Sequence, residues 1–149
     1  MQLVVKSGAN PAEANLGLGT AYLEAGRVNE ALAPLQEAAR LDPSRPETYV
    51  QLSRAHRAKG QLGEAEKALT LGLKAGAAGL GTLYHGVDAD LYMEQGLVRM
   101  QQGRLEAAAE AFQRVLALNP AHEPAKRQLA EVRKLQQDKT RAKKPGEGS

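Results

Sequence analysis

The chain overlays on itself when shifted by 34 residues, and a sequence that repeats at such a period folds as a stack of like units. The shift places Tyr22 on His56, Gly26 on Gly60, Ala31 on Ala65 and Leu35 on Leu69. Leu18-Gly19 falls on Leu52-Ser53, and Ala38 on Gly72. A third copy follows 43 residues further on, nine more than the period, where Gly60 meets Gly103, Ala65 meets Ala108 and Leu69 meets Phe112. Matches of the right size class in this order define the units.

Each copy reads as two helices. In the first, Ala12 to Ala25 spaces Leu16, Leu18, Tyr22 and Leu23 at three- and four-residue steps. Gly26 ends that helix, as a residue free to take positive φ should. Asn29 is the expected cap of the second helix, whose Ala31, Leu32, Leu35, Ala38, Ala39 and Leu41 keep the helical period. Asp42-Pro43 closes the unit. Asn10-Pro11 puts proline at a first helical position, and Ser44-x-x-Glu47 has capping-box spacing. Gly19, Ala31 and Ala38 are small enough to let helices approach closely.

Composition agrees with an all-α chain. Only five aromatics occur, with no Trp, and Ala, Leu, Glu, Gln and Arg far outweigh β-branched residues. The absence of cysteine excludes a disulfide framework, a thiolate metal site and a Cys nucleophile. No apolar run reaches the ~18 residues a membrane span needs, and the N-terminus turns polar too soon for a secretory signal. A cytoplasmic protein is expected, unless the chain is part of a longer exported one. Residues 1–122 carry 12 Lys/Arg against 13 Asp/Glu, and residues 123–149 carry 8 against 4. A nearly neutral body thus precedes a basic end.

These units resemble the tetratricopeptide repeat, whose pattern runs aromatic, Leu-Gly, Tyr, Ala-x-x-x-Phe, Pro. The first copy has Asn15 in the aromatic place, then Leu18-Gly19, Tyr22, Ala31-x-x-x-Leu35 and Pro43. The second has Tyr49, Leu52-Ser53, His56 and Ala65-x-x-x-Leu69, with Ala77 replacing the closing proline. The third has Tyr92, Gln95-Gly96, Arg99, Ala108-x-x-x-Phe112 and Pro120. The resemblance implies an α-solenoid of three helix–turn–helix units, at 12–45, 46–79 and 89–122. A polar-faced capping helix at 123–137 would close it. Residues 1–11 read as the remnant of a preceding helix or an N-terminal cap, 80–88 as an insertion, and 138–149 as a disordered basic tail.

Little else suggests chemistry. Gly79-Leu80-Gly81 lacks the preceding strand and the third glycine of a dinucleotide fingerprint. His56, His85 and His122 lie on different units without an i, i+4 partner, so no metal site is expected. His56 holds the place of Tyr22 and reads as packing. Ser7, Ser44 and Ser53 lack a Gly-x-Ser-x-Gly context. No enzyme and no cofactor are expected. The insertion reads first as a connecting loop; as a functional loop, Tyr84 and His85 would be its contacts. The basic end reads first as solubilising, and more weakly as a nucleic-acid or anionic-surface contact, since no stacking aromatics accompany it.

The resemblance implies a protein-interaction module, a scaffold or adaptor, that holds a peptide or partner helix in a concave groove lined by the first helix of each unit. Groove-facing candidates by that analogy are Leu16, Thr20, Val50, Gln51, Arg54, Arg57, Met93, Glu94, Leu97, Arg127 and Gln128. Another copy of the same chain could fill the groove, and the chain could equally be an assembly or regulatory segment of a larger protein. Some family members grip acidic chaperone C-termini with Lys, Asn and Arg on first helices. At the matching places this chain has Leu16, Thr20, Gln51, Asp90 and Glu94, so such tails are not expected to bind.

Overall fold

A computed structural model describes residues 10–78 and 85–142. Within them lie seven helices: α1 (Pro11–Glu24), α2 (Val28–Leu41), α3 (Pro46–Ala58), α4 (Leu62–Ala78), α5 (His85–Gln101), α6 (Leu105–Leu118) and α7 (Glu123–Ala142). The described residues form an all-α solenoid with no strand. No helix among them is long and apolar enough to cross a membrane. The segments 1–9, 79–84 and 143–149, and with them the expected N-terminal remnant, lie outside the described residues.

The same turn joins the helices of every unit. Among the described residues, Gly26, Gly60 and Gly103 are the ones with positive φ, at 77°, 74° and 76°. In each turn the residue after glycine donates its N–H to a carbonyl five back: Arg27 to Tyr22, Gln61 to His56 and Arg104 to Arg99, all at 2.8 Å. This is the 6→1 bond of a Schellman turn, which an L side chain at the left-handed position would strain.

The repeated small residues lie where helices meet. Ala31, Ala65 and Ala108 are fully buried, as are Leu35, Phe112 and, nearly so, Leu69. A Cβ on Gly19 would come within 2.4 Å of the Leu35 side chain, and one on Gly96 within 2.4 Å of the Phe112 ring. Ser53 takes the equivalent place in the second unit and is itself fully buried. Between units, one apolar cluster joins Ala31 and Leu35 to Tyr49, Leu52 and Ala55; another joins Ala65 and Leu69 to Val50, Leu91 and Val98. Phe112 closes the last seam with Leu129 and Val132 of α7.

Several local expectations change. Helix α2 begins at Val28 with Arg27 at its N-cap and no side-chain cap, so Asn29 lies inside the helix. The Schellman turn leads straight into α2 and leaves no room for a later start. Ser44 bonds to the Asp42 carboxylate through both its N–H (3.2 Å) and its hydroxyl (2.6 Å), so it does not cap α3. Asn10 does cap α1, accepting from the Ala12 N–H at 2.9 Å, with Pro11 following.

The insertion and the C-terminal end also differ from expectation. Helix α5 already begins at His85, so residues 85–88 of the expected insertion are helical. Helix α7 runs to Ala142, beyond the expected end at 137, so residues 138–142 are helix rather than disordered tail. The reason lies in register: the place of Gly26, Gly60 and Gly103 is held in α7 by Gln137, which has no comparable access to positive φ. The helix therefore continues where each earlier unit turns.

Candidate partner-binding groove

Successive first helices touch, α1 with α3 and α3 with α5, while the second helices of neighbouring units barely meet. The first helices of the three units thus form one contiguous layer. Leu16, Thr20, Gln51, Arg54, Arg57, Met93, Leu97 and Gln128 are half-buried, with Leu16, Met93 and Leu97 also packed against the seams, and Arg127 is exposed on α7. Two candidates depart from the expectation. Val50 is 3% exposed and belongs to the seam with Leu69, Leu91 and Val98, so it offers no groove surface. Glu94 is also 3% exposed. Its helix packs directly against α3, which carries the carboxylate under the two arginines. Of the insertion candidates, Tyr84 lies outside the described residues, and His85 is the first residue of α5.

Glu94 is the centre of this layer. Arg54 donates from Nε to one carboxylate oxygen at 2.9 Å, and Arg57 from Nε to the other at 3.0 Å. The two arginines lie one helical turn apart on α3, so both reach one acid on α5. A carboxylate this buried is stable as an anion only when paired and hydrogen-bonded, and here both oxygens are. The arginine side chains stay 40% and 28% exposed, and each spends only its Nε on Glu94. Asp90, one turn before Glu94, keeps more than a third of its surface in water. Loss of hydration among its neighbours nevertheless pushes its pKa up; Glu94 adds to the rise, while Arg54 and His122 oppose it.

A cleft of about 290 Å³ between α1, the start of α2 and α3 is lined by Thr20, Leu23, Glu24, Val28 and Gln51 together with Arg54 and Arg57. Leu23, Glu24 and Val28 were not among the sequence candidates. Leu23 holds the same repeat position as Arg57, so extending the first-helix register by one turn would have found it. A larger cleft of about 620 Å³ lies where α7 runs past the start of α6. There Arg104 and Lys139 share the walls with Glu106 and Glu110, so no one charge converges. Among the described residues no three His, Asp or Glu side chains are placed to hold a metal ion.

The variation at the tyrosine place of the repeat, held by Tyr22, His56 and Arg99, is explained by the turn. Tyr22 stacks under the Arg27 guanidinium at 4.9 Å, the His56 ring pairs with Gln61 Oε1 at 2.8 Å, and Arg99 donates to the Ala107 carbonyl at 3.0 Å. Each side chain thus steadies the turn of its own unit, by different chemistry.

Comparison with known proteins gives the same architecture. Residues 22–79 and residues 89–122 each match sequence models described as tetratricopeptide repeat. The TPR repeat-containing protein YpiA of Bacillus subtilis (strain 168) is 28% identical over 122 residues, 82% of this chain; the chain spans 27% of that relative's length. The first TPR domain of human RPAP3 superimposes with a TM-score of 0.76 at 21% identity, over 87% of this chain and 95% of that one. The first TPR of Spaghetti (RPAP3), solved bound to the HSP90 peptide SRMEEVD, superimposes with a TM-score of 0.73 at 22% identity, over 83% and 91%. The 34-residue period, the three glycine turns and these matches together assign the chain to the tetratricopeptide repeat family.

Proposed function

We propose that the chain is a non-enzymatic interaction module, a cytoplasmic scaffold or adaptor, that holds a peptide or partner helix against its first helices. The observation that carries this reading is the layer of first helices itself. Half-buried Leu16, Leu23, Met93 and Leu97 offer apolar anchors beside the polar Thr20, Gln51, Arg54 and Arg57. Such a surface suits an amphipathic segment, with apolar residues supplying affinity and charges setting direction. The peptide-bound Spaghetti structure supports the use of this fold for peptide capture. Acidic chaperone tails are the wrong ligand for this chain. At the places of the expected cations stand the exposed Asp90 and the buried Glu94, whose charge is already met by Arg54 and Arg57, so neither offers a donor to a terminal carboxylate.

A photo-crosslinking residue at Gln51, compared with one at the exposed Lys67 of α4, tests the proposal. Adducts with one discrete partner are expected from the Gln51 position and none from the Lys67 position; equal labelling from both would overturn it. Calorimetric titration with an acidic C-terminal pentapeptide should show no binding, and micromolar affinity would overturn the groove register. The length of YpiA favours a second reading, in which this region serves as an assembly or regulatory segment within a longer protein. In that case the same face binds another part of the same polypeptide.

A further inference from the structure

We propose that Arg54 and Arg57, held in place by Glu94, form a seat for a single carboxylate side chain of the partner, next to an apolar anchor site at Leu23 and Val28. This rests on the groove reading above and names the chemistry of the partner.

The donor count is the first argument. Two guanidinium groups share the one buried carboxylate of Glu94. Each arginine spends only its Nε on Glu94, and no acceptor among the described residues meets the remaining nitrogens. A guanidinium carries five N–H donors, so about four on each side chain stay available. Arginine is also the side chain best shaped to grip a carboxylate through two parallel bonds.

Rigidity is the second. Arg54 and Arg57 are long, flexible side chains that would ordinarily lose rotamer freedom on binding a ligand. Here the Glu94 carboxylate already holds both at 2.9–3.0 Å, so that loss is met in folding rather than in binding. Glu94 is thus a positioning residue, and the arginines are the ones that would touch the partner.

The surroundings set the limit to one acid. Glu24 lines the same cleft, and Asp90 lies within electrostatic reach of Arg54 without forming an ion pair with it. A run of acidic residues would meet those carboxylates after the first had been seated. A mixed-charge segment would not: a basic side chain about one helical turn from the acid could approach Glu24 or Asp90 instead. Leu23 and Val28 on the cleft wall suit an apolar neighbour of the seated acid.

The test is selection of a random dodecapeptide phage library on the whole chain, followed by synthesis of the enriched peptides. We expect one shared Asp or Glu beside apolar residues. Replacing that acid by its amide should weaken binding at least about tenfold, as for a charge-assisted hydrogen-bonded pair. Selection on the triple variant R54Q/R57Q/E94Q, which leaves no unpaired buried charge, should keep the apolar positions and lose the acidic one. Enriched peptides without an acid, with a run of acids, or unaffected by its amide replacement would overturn the carboxylate seat and leave the groove reading standing. The amide comparison is made on the unaltered protein, so it decides even where the triple variant is unfolded. Peptides that bind a Leu23→Arg variant as well as the original would overturn the seat and the groove together, as would a library that yields no binder.

Discussion

The seam between the first two units and the seam between the second and third are built from the same repeat positions, yet they are held differently. In the first, Ala31 and Leu35 of α2 pack on Tyr49, Leu52 and Ala55 of α3, and the joining chain keeps the 34-residue period. In the second, Ala65 and Leu69 of α4 pack on Leu91 and Val98 of α5 in the same manner, but nine extra residues separate the units. That seam also carries the buried Glu94 with its two arginines reaching across from α3. Apolar packing follows the repeat and tolerates the longer connection. The ion cluster belongs to one seam only, and it has no counterpart in the first because Gly17 stands there in the place of Gln51 and Glu94.

The largest effect expected concerns the packing that all units share. Gly96→Val should destabilise the chain by about 3 kcal/mol, at the upper end for overpacked sites, because its Cβ would overlap the Phe112 ring. Gly17→Ala, with nothing within 4 Å of the added carbon, should instead stabilise α1 by about 0.5–1 kcal/mol. Urea denaturation of the two variants checks both signs. A loss at Gly17 like that at Gly96 would mean that the register of α1 is misassigned.

Ala31→Leu and Ala65→Leu compare the two seams directly. Both side chains are fully buried, so each substitution should lower stability by about 1–3 kcal/mol, while Lys139→Ala on exposed α7 should change it by less than about 0.5 kcal/mol. Similar losses at the two alanines would show that the longer connection leaves the packing intact. A small loss at Ala65 alone would show that the second seam relies on its charges.

The ion cluster itself should reveal coupling. Arg54→Ala and Arg57→Ala alone leave Glu94 with one partner each, and each should be mild. The double variant leaves a buried carboxylate with no cation and should exceed the sum of the singles by about 1 kcal/mol or more. Additive losses in a double-mutant cycle would mean that Glu94 is not the shared partner.

The smallest effect concerns Asp90. Lost hydration raises its pKa in the folded chain, so the folded state holds that proton more tightly than the unfolded state does. Its contribution is therefore fully favourable below the unfolded pKa of about 3.9 and declines as pH rises through the higher folded value. Ionised Asp90 works against folding at neutral pH. Asp90→Asn should raise the thermal midpoint slightly at pH 7 and leave it unchanged near pH 3; a gain at both pH values would rule out ionisation as the cause.

The period, the positions of the glycine turns and the all-helical class are determined by the sequence itself, because they rest on interactions spanning three to five residues. A helix shows its apolar face at steps of three and four, and a Schellman turn needs a residue at ease with positive φ, so Gly26, Gly60 and Gly103 mark the turns by residue type and spacing alone. The extended end of α7 was legible by the same rule, in the glutamine that replaces that glycine. Tertiary structure alone decided the burial of Val50, the seat of Leu23 and Val28 in a shared cleft, and the pairing of Glu94 with Arg54 and Arg57 across 40 and 37 positions. Sequence pattern places those residues on the right helices. Whether a carboxylate on one helix faces water or two guanidinium groups depends on how closely the next helix approaches and on which side, and those are set by the packed small residues of both units acting together.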